Sequence, residues 1–263
     1  MSDSPLHLHV SGLWKVFDGP QGALPVLAGI DLQVRRGEFV CLLGPSGCGK
    51  STLLRVVAGF EAASGGSVLV EGRPVKGAGP DRGMVFQDYG LFPWLTVRDN
   101  VGFGLRQRRV PRAVLREKVD AFLAMMGLSA FAESHPHQLS GGMKQRVSIA
   151  RVLANGAGML LMDEPFAALD AMTRERLQSE LLGIWEREKV TVLFVTHSVE
   201  EAVMLGDRVV VLQPHPGRVA ADVAIDLPRP RDPMSAEFNA VRRRMTEELA
   251  RVSAPRGAEP AAA

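Results

Sequence analysis

Short apolar runs alternate with longer segments of helical spacing along most of the chain. The runs contain few polar residues, which is typical of strands buried on both faces of a parallel sheet. Helical spacing follows several of them, as at Leu53, Leu54 and Val57. This alternation predicts an α/β fold with a parallel sheet. The runs lie at residues 39–43, 83–86, 159–162, 191–195 and 209–212.

A different pattern surrounds the first of these runs. Residues 6–11 alternate apolar and polar side chains, residues 26–34 form a second strand-like segment, and Gly72 divides residues 67–75 as in a hairpin. We expect the segment at 26–34 to pair toward the strand at 39–43, because only a short turn separates them. The sequence therefore predicts an antiparallel β flank beside the parallel core.

Residues 90–139 are helical in pattern and interrupt the series of apolar runs. Thr96 is a suitable N-cap, and Pro111 is a suitable residue for the start of a longer helix. The apolar positions after Pro111 recur at helical spacing and predict one buried face. These positions are Val114, Leu115, Val119, Phe122, Leu123 and Met126.

The length of 263 residues suits one large α/β domain. We predict a single domain over residues 1–255, in which a helical insert divides the core. Prolines end the last core segment, and a short amphipathic helix with the solvated run Arg242, Arg243 and Arg244 follows them. The predicted parts are a core at 1–89 and 140–227, a helical insert at 90–139, a C-terminal extension at 228–255 and a disordered tail at 256–263.

Composition narrows the classes of protein that the chain can belong to. Lys and Arg number 31 and Asp and Glu 29, a net charge of +2 that argues against nucleic acid as the main partner. Cys41 and Cys48 are the only cysteines, and a disulfide to Cys48 would distort the loop that contains it, so we expect a reducing compartment. The sequence shows neither a targeting signal nor an apolar run long enough to span a bilayer, and we expect a soluble, cytosolic chain.

A glycine-rich loop joins the apolar run at 39–43 to the first helix. Its spacing fits the P-loop pattern, in which glycines turn backbone N–H groups toward phosphate and the helix start adds its positive end. Lys50 is expected to reach the β- and γ-phosphates, and the Ser51 hydroxyl to bind Mg²⁺. We therefore predict a nucleoside triphosphate site. The loop consists of Gly44, Pro45, Ser46, Gly47, Cys48, Gly49, Lys50, Ser51 and Thr52.

Polar residues follow the apolar strands at the edge of the sheet where the loop begins. Gln87 ends one strand, and its amide oxygen is a candidate to coordinate Mg²⁺ or orient water. Asp163 and Glu164 end another, where Asp163 is expected to hold Mg²⁺ and Glu164 to act as general base. His197 follows a third strand and can sense the γ-phosphate. The predicted catalytic residues are Lys50, Gln87, Glu164 and His197, and the predicted metal ligands are Ser51, Gln87 and Asp163.

A second candidate anion site precedes the helix at about 140–155. Ser140 is a good N-cap, but Gly141 and Gly142 weaken a first helical turn, which indicates that free backbone N–H groups are needed there. The P-loop already occupies one face of the core. We therefore expect this second site to serve a nucleotide bound to another copy of the chain.

Two further features have alternative readings. Phe17, ahead of a turn, is expected to be more exposed than Trp14 and to stack on adenine if ATP is the ligand, although either can be core. The loop at 88–97 is crowded with apolar and aromatic residues, among them Phe92 and Trp94, and is either a core plug or a docking surface for another protein.

Taken together, the loop at 44–52, Gln87, LSGGMKQR, MLLMDEP, the triplet Ala168-Leu169-Asp170 and His197 resemble the nucleotide-binding subunits of ATP-binding cassette (ABC) transporters. The resemblance implies a P-loop NTPase (RecA-like) core, ATP and Mg²⁺ as cofactors, and two copies that sandwich two ATPs. It also implies that Phe17 stacks on adenine and that Asp170, which can cap the following helix, contacts the other subunit. Met143 stands where the family usually has Gln or Glu.

The resemblance also implies a membrane partner. The loop from Gln87 to Trp94 would receive a permease, which places the chain peripherally on the cytoplasmic face of the membrane. The segments at 91–101 and 215–219 are similar to the importers of nitrate, sulfonates and taurine, which also use an extracytoplasmic solute-binding protein. An aromatic or pyrimidine-type nutrient is the alternative cargo, and a soluble non-transport cassette ATPase is the alternative class. A kinase or GTPase is a further competing class, but the sequence gives it no support and lacks the guanine-reading motif of GTPases.

Overall fold

The computed structural model describes residues 5–19, 22–167 and 169–253. Its central element is a six-stranded sheet in the order β10-β9-β3-β8-β7-β6, in which β10 is antiparallel to β9 and the other neighbours are parallel. Each of the five apolar runs coincides with one of its parallel strands, although the run at 83–86 extends one residue past β6. The strands are β3 (Phe39–Leu43), β6 (Arg82–Val85), β7 (Met159–Asp163), β8 (Thr191–Thr196), β9 (Arg208–Gln213) and β10 (Arg218–Ala224).

A four-stranded antiparallel sheet in the order β2-β1-β4-β5 forms the predicted flank. One expected pairing is wrong, because β2 pairs with β1 rather than with β3. Both hydrogen-bonding edges of β3 are occupied by β8 and β9, so the flank has to form a sheet of its own. Its strands are β1 (Leu6–Gly19), β2 (Gly22–Arg35), β4 (Gly65–Val70) and β5 (Arg73–Pro74).

Eight α-helices occur in the described parts of the chain. Thr96 caps α2 as predicted, since its side chain accepts a hydrogen bond from Asp99 N. Val119 and Leu123 of α4 are buried, whereas Val114, expected on the same face, is 41% exposed because only the C-terminal half of that face is covered. The helices are α1 (Lys50–Ala58), α2 (Val97–Val101), α3 (Phe103–Gln107), α4 (Arg112–Met125), α5 (Gly141–Ala154), α6 (Ala171–Glu188), α7 (Val199–Leu205) and α8 (Ala236–Ser253).

The central sheet separates two hydrophobic cores. Alternate residues of a strand face opposite sides, so Phe39 and Cys41 join the core beneath α5 to α8, whereas Val40 and Leu42 join the core shared with α1 and the antiparallel sheet. Because the sheet is buried on both faces, it holds the residues that follow its strand ends in fixed positions.

The C-terminal extension is anchored by a buried arginine that the sequence analysis did not identify. Arg231 is 9% exposed and donates to the carbonyls of Val203 (2.6 Å) and Gly206 (2.7 Å) at the end of α7, and to that of Leu227 (3.2 Å). Burial lowers the pKa of Arg231 to about 10, which leaves the guanidinium charged near neutral pH. Phe238 of α8 is buried in the same region, so the extension is part of the core.

Three expectations about the ends and surface of the chain can be compared with the structure. The side chains of Arg242, Arg243 and Arg244 are exposed, as predicted. No helix within the described ranges is both long and apolar enough to cross a membrane. The tail at 256–263 lies outside the described residues.

We predict that Arg231→Met destabilises the protein by roughly 2–4 kcal/mol, because carbonyls at the end of α7 lose their donor in a buried place. Arg243→Met, an exposed change on α8, is the matched control and should be close to neutral. Urea unfolding followed by circular dichroism measures both. Equal unfolding midpoints for the two variants would contradict the anchoring role.

Candidate nucleotide-binding site

The loop between β3 and α1 has a backbone that requires glycine at several positions. Gly47 and Gly49 have φ angles of 79° and 94°, in the left-handed region. A Cβ on Gly44 would lie 2.6 Å from the Leu212 carbonyl oxygen, and one on Gly49 would lie 2.6 Å from Leu27 Cδ2. The glycines therefore let the loop curl closely over the ends of β3 and β9, with its backbone available to a ligand.

Lys50 is a buried cation whose hydrogen bonds go to neutral groups. Its ammonium donates to the carbonyl oxygens of Gly44 (2.7 Å) and Pro45 (3.0 Å). Lys50 is 5% exposed, and no carboxylate of the described residues forms an ion pair with its ammonium. A buried positive charge without a counter-ion favours an anion, so the loop fits the phosphates of a nucleotide.

Ser51 and Asp163 meet at the start of α1. The Ser51 hydroxyl donates to Asp163 Oδ1 at 2.8 Å, so the two oxygens predicted to hold Mg²⁺ lie side by side. Burial raises the pKa of Asp163, while the hydrogen bond from Ser51 opposes the shift. The described residues contain no cluster of three or more His, Cys, Asp or Glu that could hold a metal. This sparse set of oxygens fits Mg²⁺, which usually takes one or two protein ligands and completes its shell with water and phosphate.

Glu164 and His197 are in direct contact. His197 Nδ1 lies 3.0 Å from Glu164 Oε2, and because an ionised carboxylate only accepts hydrogen bonds, the imidazole N–H is the donor. Glu164 has a φ of 45°, an unusual angle for a non-glycine residue, and its N–H bonds to the Val195 carbonyl. The sequence placed both residues at one sheet edge, and the structure pairs them.

Two other predicted site residues form no side-chain hydrogen bond with this group in the described residues. Gln87 is exposed two residues after β6, whose last residue, Val85, pairs with Met162 just before Asp163. Phe17 is half-buried with the Lys15 ammonium 4.4 Å from its ring centroid. The expected order of exposure is wrong, since Trp14 is 42% exposed and lies more open than Phe17, whose ring is covered by Lys15.

Residues 140–142 form the start of α5 as predicted, with the Ser140 side chain accepting from Met143 N at 3.3 Å. The structure shows a second reason why glycine occupies positions 141 and 142, which is the lack of space for a side chain. A Cβ on Gly141 would lie 3.1 Å from the Tyr89 hydroxyl oxygen, and one on Gly142 would lie 3.2 Å from Thr173 Cγ2. In the described residues no hydrogen bond joins this turn to residues 44–52.

Asp170 caps α6, because its carboxylate accepts a hydrogen bond from Thr173 N at 3.0 Å. That bond lowers the pKa of Asp170, whose side chain is exposed. Leu169 beside it is buried, and Ala168 lies outside the described residues. Cys41 and Cys48 are buried free thiols, and burial raises the pKa of Cys48.

The loop at 88–97 combines both alternatives that the sequence left open. Phe92 is packed against Phe103, with ring centroids 4.5 Å apart, whereas Trp94 is 71% exposed. Arg151 of α5 donates to the Gly90 carbonyl at 2.6 Å, a contact that the sequence analysis did not predict. One side of the loop is therefore fixed to the core and the other is open to a partner.

The comparisons with known proteins agree with this site. The sequence model of the family described as ABC transporter matches residues 27–167, which include the glycine-rich loop, residues 140–142 and Glu164. The chain therefore belongs to the ABC transporter family. It carries that family's ATP-binding cassette, an α/β P-loop NTPase fold that hydrolyses ATP with Mg²⁺ and couples hydrolysis to transport.

Three relatives extend over most of the chain. An uncharacterised ABC transporter ATP-binding protein of Methanocaldococcus jannaschii is 53% identical over 92% of this chain and 91% of that protein. A nitrate import ATP-binding protein of Synechocystis sp. is 48% identical over 85% of this chain and 84% of that protein. A solved ATP-binding cassette, a dimer in a post-hydrolysis state bound to ADP and Pi, superposes with a TM-score of 0.74 at 31% identity, over 84% of this chain and 99% of that one.

We predict that Asp163→Asn makes the nucleotide-free, Mg²⁺-free protein more stable near neutral pH. A carboxyl whose pKa is raised by burial stabilises the fold only when protonated, so its cost appears as the pH rises through its pKa. The advantage of the Asn variant should fade as the pH falls toward the ordinary Asp value of about 3.9. Urea unfolding across this pH range measures it.

Asp170→Asn is the matched control, because the pKa of Asp170 is shifted in the opposite direction. That carboxylate contributes stability above the ordinary Asp pKa and loses it as the pH falls, so its replacement should bring no gain at neutral pH. An Asp163→Asn variant that is less stable than the wild type at every pH would contradict the assignment.

Proposed function

We propose that this chain is the ATP-hydrolysing subunit of an ABC importer for a small anion or organosulfur compound of the nitrate, sulfonate or taurine type. The observation that supports the chemistry is the arrangement of two pairs around one loop: Ser51 with Asp163, and Glu164 with His197. A cation, a metal-binding pair and a general base thus lie along the same edge of the sheet as the P-loop.

Each of these residues has a proposed task. Lys50 and the backbone N–H groups of residues 44–52 bind the phosphates, while Ser51, Asp163 and Gln87 hold Mg²⁺, which neutralises charge on the phosphates. Glu164 accepts the proton of the attacking water at its carboxylate, and His197 orients that carboxylate through Nδ1. Phe17 faces adenine.

Two copies of the chain are proposed to complete each other's sites. Ser140, Gly141 and Gly142 have no described hydrogen bond to the P-loop of their own chain, although Ser140 is exposed and could accept or donate to a phosphate. The dimeric cassette bound to ADP and Pi is similar to this chain over most of its length. We infer that the turn at 140–142 contacts the nucleotide of the other copy and that Asp170 lies at the contact between the copies.

Mixing two inactive variants should restore hydrolysis if the copies exchange these residues. In a heterodimer of Lys50→Ala and Ser140→Arg chains, one of the two sites keeps both an intact P-loop and an intact Ser140. We expect each variant alone to be nearly inactive and the equimolar mixture to regain a measurable fraction of wild-type ATPase activity. A mixture that forms dimers by light scattering but stays as inactive as its components would exclude the exchange.

The loop from Gln87 to Trp94 is proposed as the docking surface for an integral membrane permease. Trp94 is exposed, yet Phe92 and the Gly90 carbonyl fix the base of the loop to the core. A partner that contacts Trp94 would thus bind a loop that begins at Gln87, two residues after β6. Docking there would hold the chain peripherally on the cytoplasmic face of the membrane.

The cargo is inferred from similarity, because the ATP-hydrolysing subunit does not contact it. The nitrate import relative is 48% identical to this chain over 223 aligned residues. Nitrate, sulfonates and taurine present compact oxyanion groups, which favour a binding protein with arginine and backbone N–H donors. We therefore propose an extracytoplasmic solute-binding protein as the third partner.

Uptake by cells that lack this chain tests the cargo. We expect loss of uptake of at least one of nitrate, taurine or an alkanesulfonate, restored by the wild-type gene and not by Lys50→Ala. Unchanged uptake of all three, together with loss of an aromatic or pyrimidine-type nutrient, would replace the proposed cargo. Wild-type uptake of every solute with Lys50→Ala would instead refute the coupling to ATP hydrolysis.

A further inference from the structure

A buried carboxylate lies behind His197 and is not explained by the roles given above. Glu201, in the first turn of α7, is 8% exposed, and burial raises the pKa of its side chain. A buried carboxylate is costly unless its oxygens have donors. The groups that face its oxygens come from β8 and α6, so this position joins two elements to α7.

Thr196, the residue before His197, connects Glu201 to Ser198, the residue after His197. The Thr196 hydroxyl donates to Glu201 Oε2 at 2.6 Å and accepts from Ser198 N at 2.9 Å. A hydroxyl has one proton, so its donation to the carboxylate fixes its orientation and leaves a lone pair for the Ser198 N–H. The carboxylate thereby holds Thr196 directly, and it holds Ser198 through the Thr196 hydroxyl.

The other oxygen of Glu201 faces α6. Gln178 Nε2 donates to Glu201 Oε1 at 3.4 Å, and Arg174 Nε lies 3.7 Å from the same oxygen. Arg174 also donates to the Leu169 carbonyl at 2.8 Å, directly before the exposed cap Asp170. The turn that contains His197 is therefore connected to the start of α6.

Capping of α7 does not account for this carboxylate. The Ser198 hydroxyl already accepts from Glu201 N at 3.3 Å and caps the helix. In the usual capping box the Glu side chain would accept from Ser198 N, but here that N–H goes to Thr196 instead. The side chain of Glu201 is thus directed toward the turn before the helix.

We propose that Glu201, acting through the Thr196 hydroxyl, is a positioning residue that holds the His197 imidazole against Glu164. The inference rests on the proposed role of His197 in ATP hydrolysis. The His197 side chain is 61% exposed, so the backbone of residues 196–198 has to place Nδ1 beside Glu164. Glu201 supplies that restraint at a distance from the nucleotide.

Thr196→Val tests the proposal with almost no change of volume. Loss of the hydroxyl should lower kcat about 10- to 100-fold, the scale of a small misplacement of a catalytic group. KM for ATP should stay within about threefold, because residues 44–52 are not touched. Thr196→Ser, which keeps the hydroxyl, should recover most of kcat, and Glu200→Gln, an exposed neighbouring acid, should behave as wild type.

The double variant with His197→Ala separates positioning from a merely structural role. If Thr196 acts through His197, adding Thr196→Val to His197→Ala should change kcat less than about twofold, well below its effect in the wild type. Equal losses in both backgrounds, or a normal kcat for Thr196→Val, would overturn the inference. A normal kcat for His197→Ala would instead refute the role proposed for His197 itself.

Glu201→Asp provides a second variant should Thr196→Val fail to fold, as judged by urea unfolding. It keeps the charge but shortens the side chain by one methylene, so the contact with Thr196 is lost. The same drop in kcat at unchanged KM is expected, again abolished in the His197→Ala background. A Glu201→Asp variant with full activity would contradict the proposal.

Discussion

The register of three parallel strands is the constraint on which the site depends. Leu43 of β3 pairs with Thr196 of β8, and Val195 of β8 pairs with Asp163 of β7. The chain leaves the sheet immediately after these positions, so the P-loop, Glu164 and His197 all begin at the same edge. A slip of one residue in either pairing would turn every side chain of that strand to the opposite face.

Electrostatics at this edge complement the register. Asp163 and Lys50 are both partly or fully withdrawn from water. Burial raises the pKa of the Asp163 carboxyl, and the Lys50 ammonium donates to neutral groups. Each arrangement costs folding free energy in the protein without ligand. Binding of phosphate and a divalent cation reduces that cost. The stability given up at the edge is offset by the two hydrophobic cores that enclose the sheet.

Much of the fold and of the candidate site could be predicted from the sequence, because it depends on local chemistry. The glycine spacing of the P-loop, the apolar runs of the parallel strands, and the N-caps Thr96, Ser140 and Asp170 depend on residues a few positions apart, which a sequence displays directly. The partner of β2 and the anchor at Arg231 depend instead on residues that the fold brings together from distant parts of the chain. For Glu201 a local signal existed, the Ser198-x-x-Glu201 spacing, but it predicts a capping box and not the contact with Thr196.

The three tryptophans of the chain are distributed over three different parts of the molecule. Trp14 lies on the antiparallel sheet, Trp94 is on the exposed loop at 88–97, and Trp185 is half-buried on α6 with its indole N–H bonded to the Gly37 carbonyl. Each region thus contains its own intrinsic fluorophore. Single replacements by Phe assign the emission of the protein to sheet, loop and core, without any attached dye that could disturb the loop.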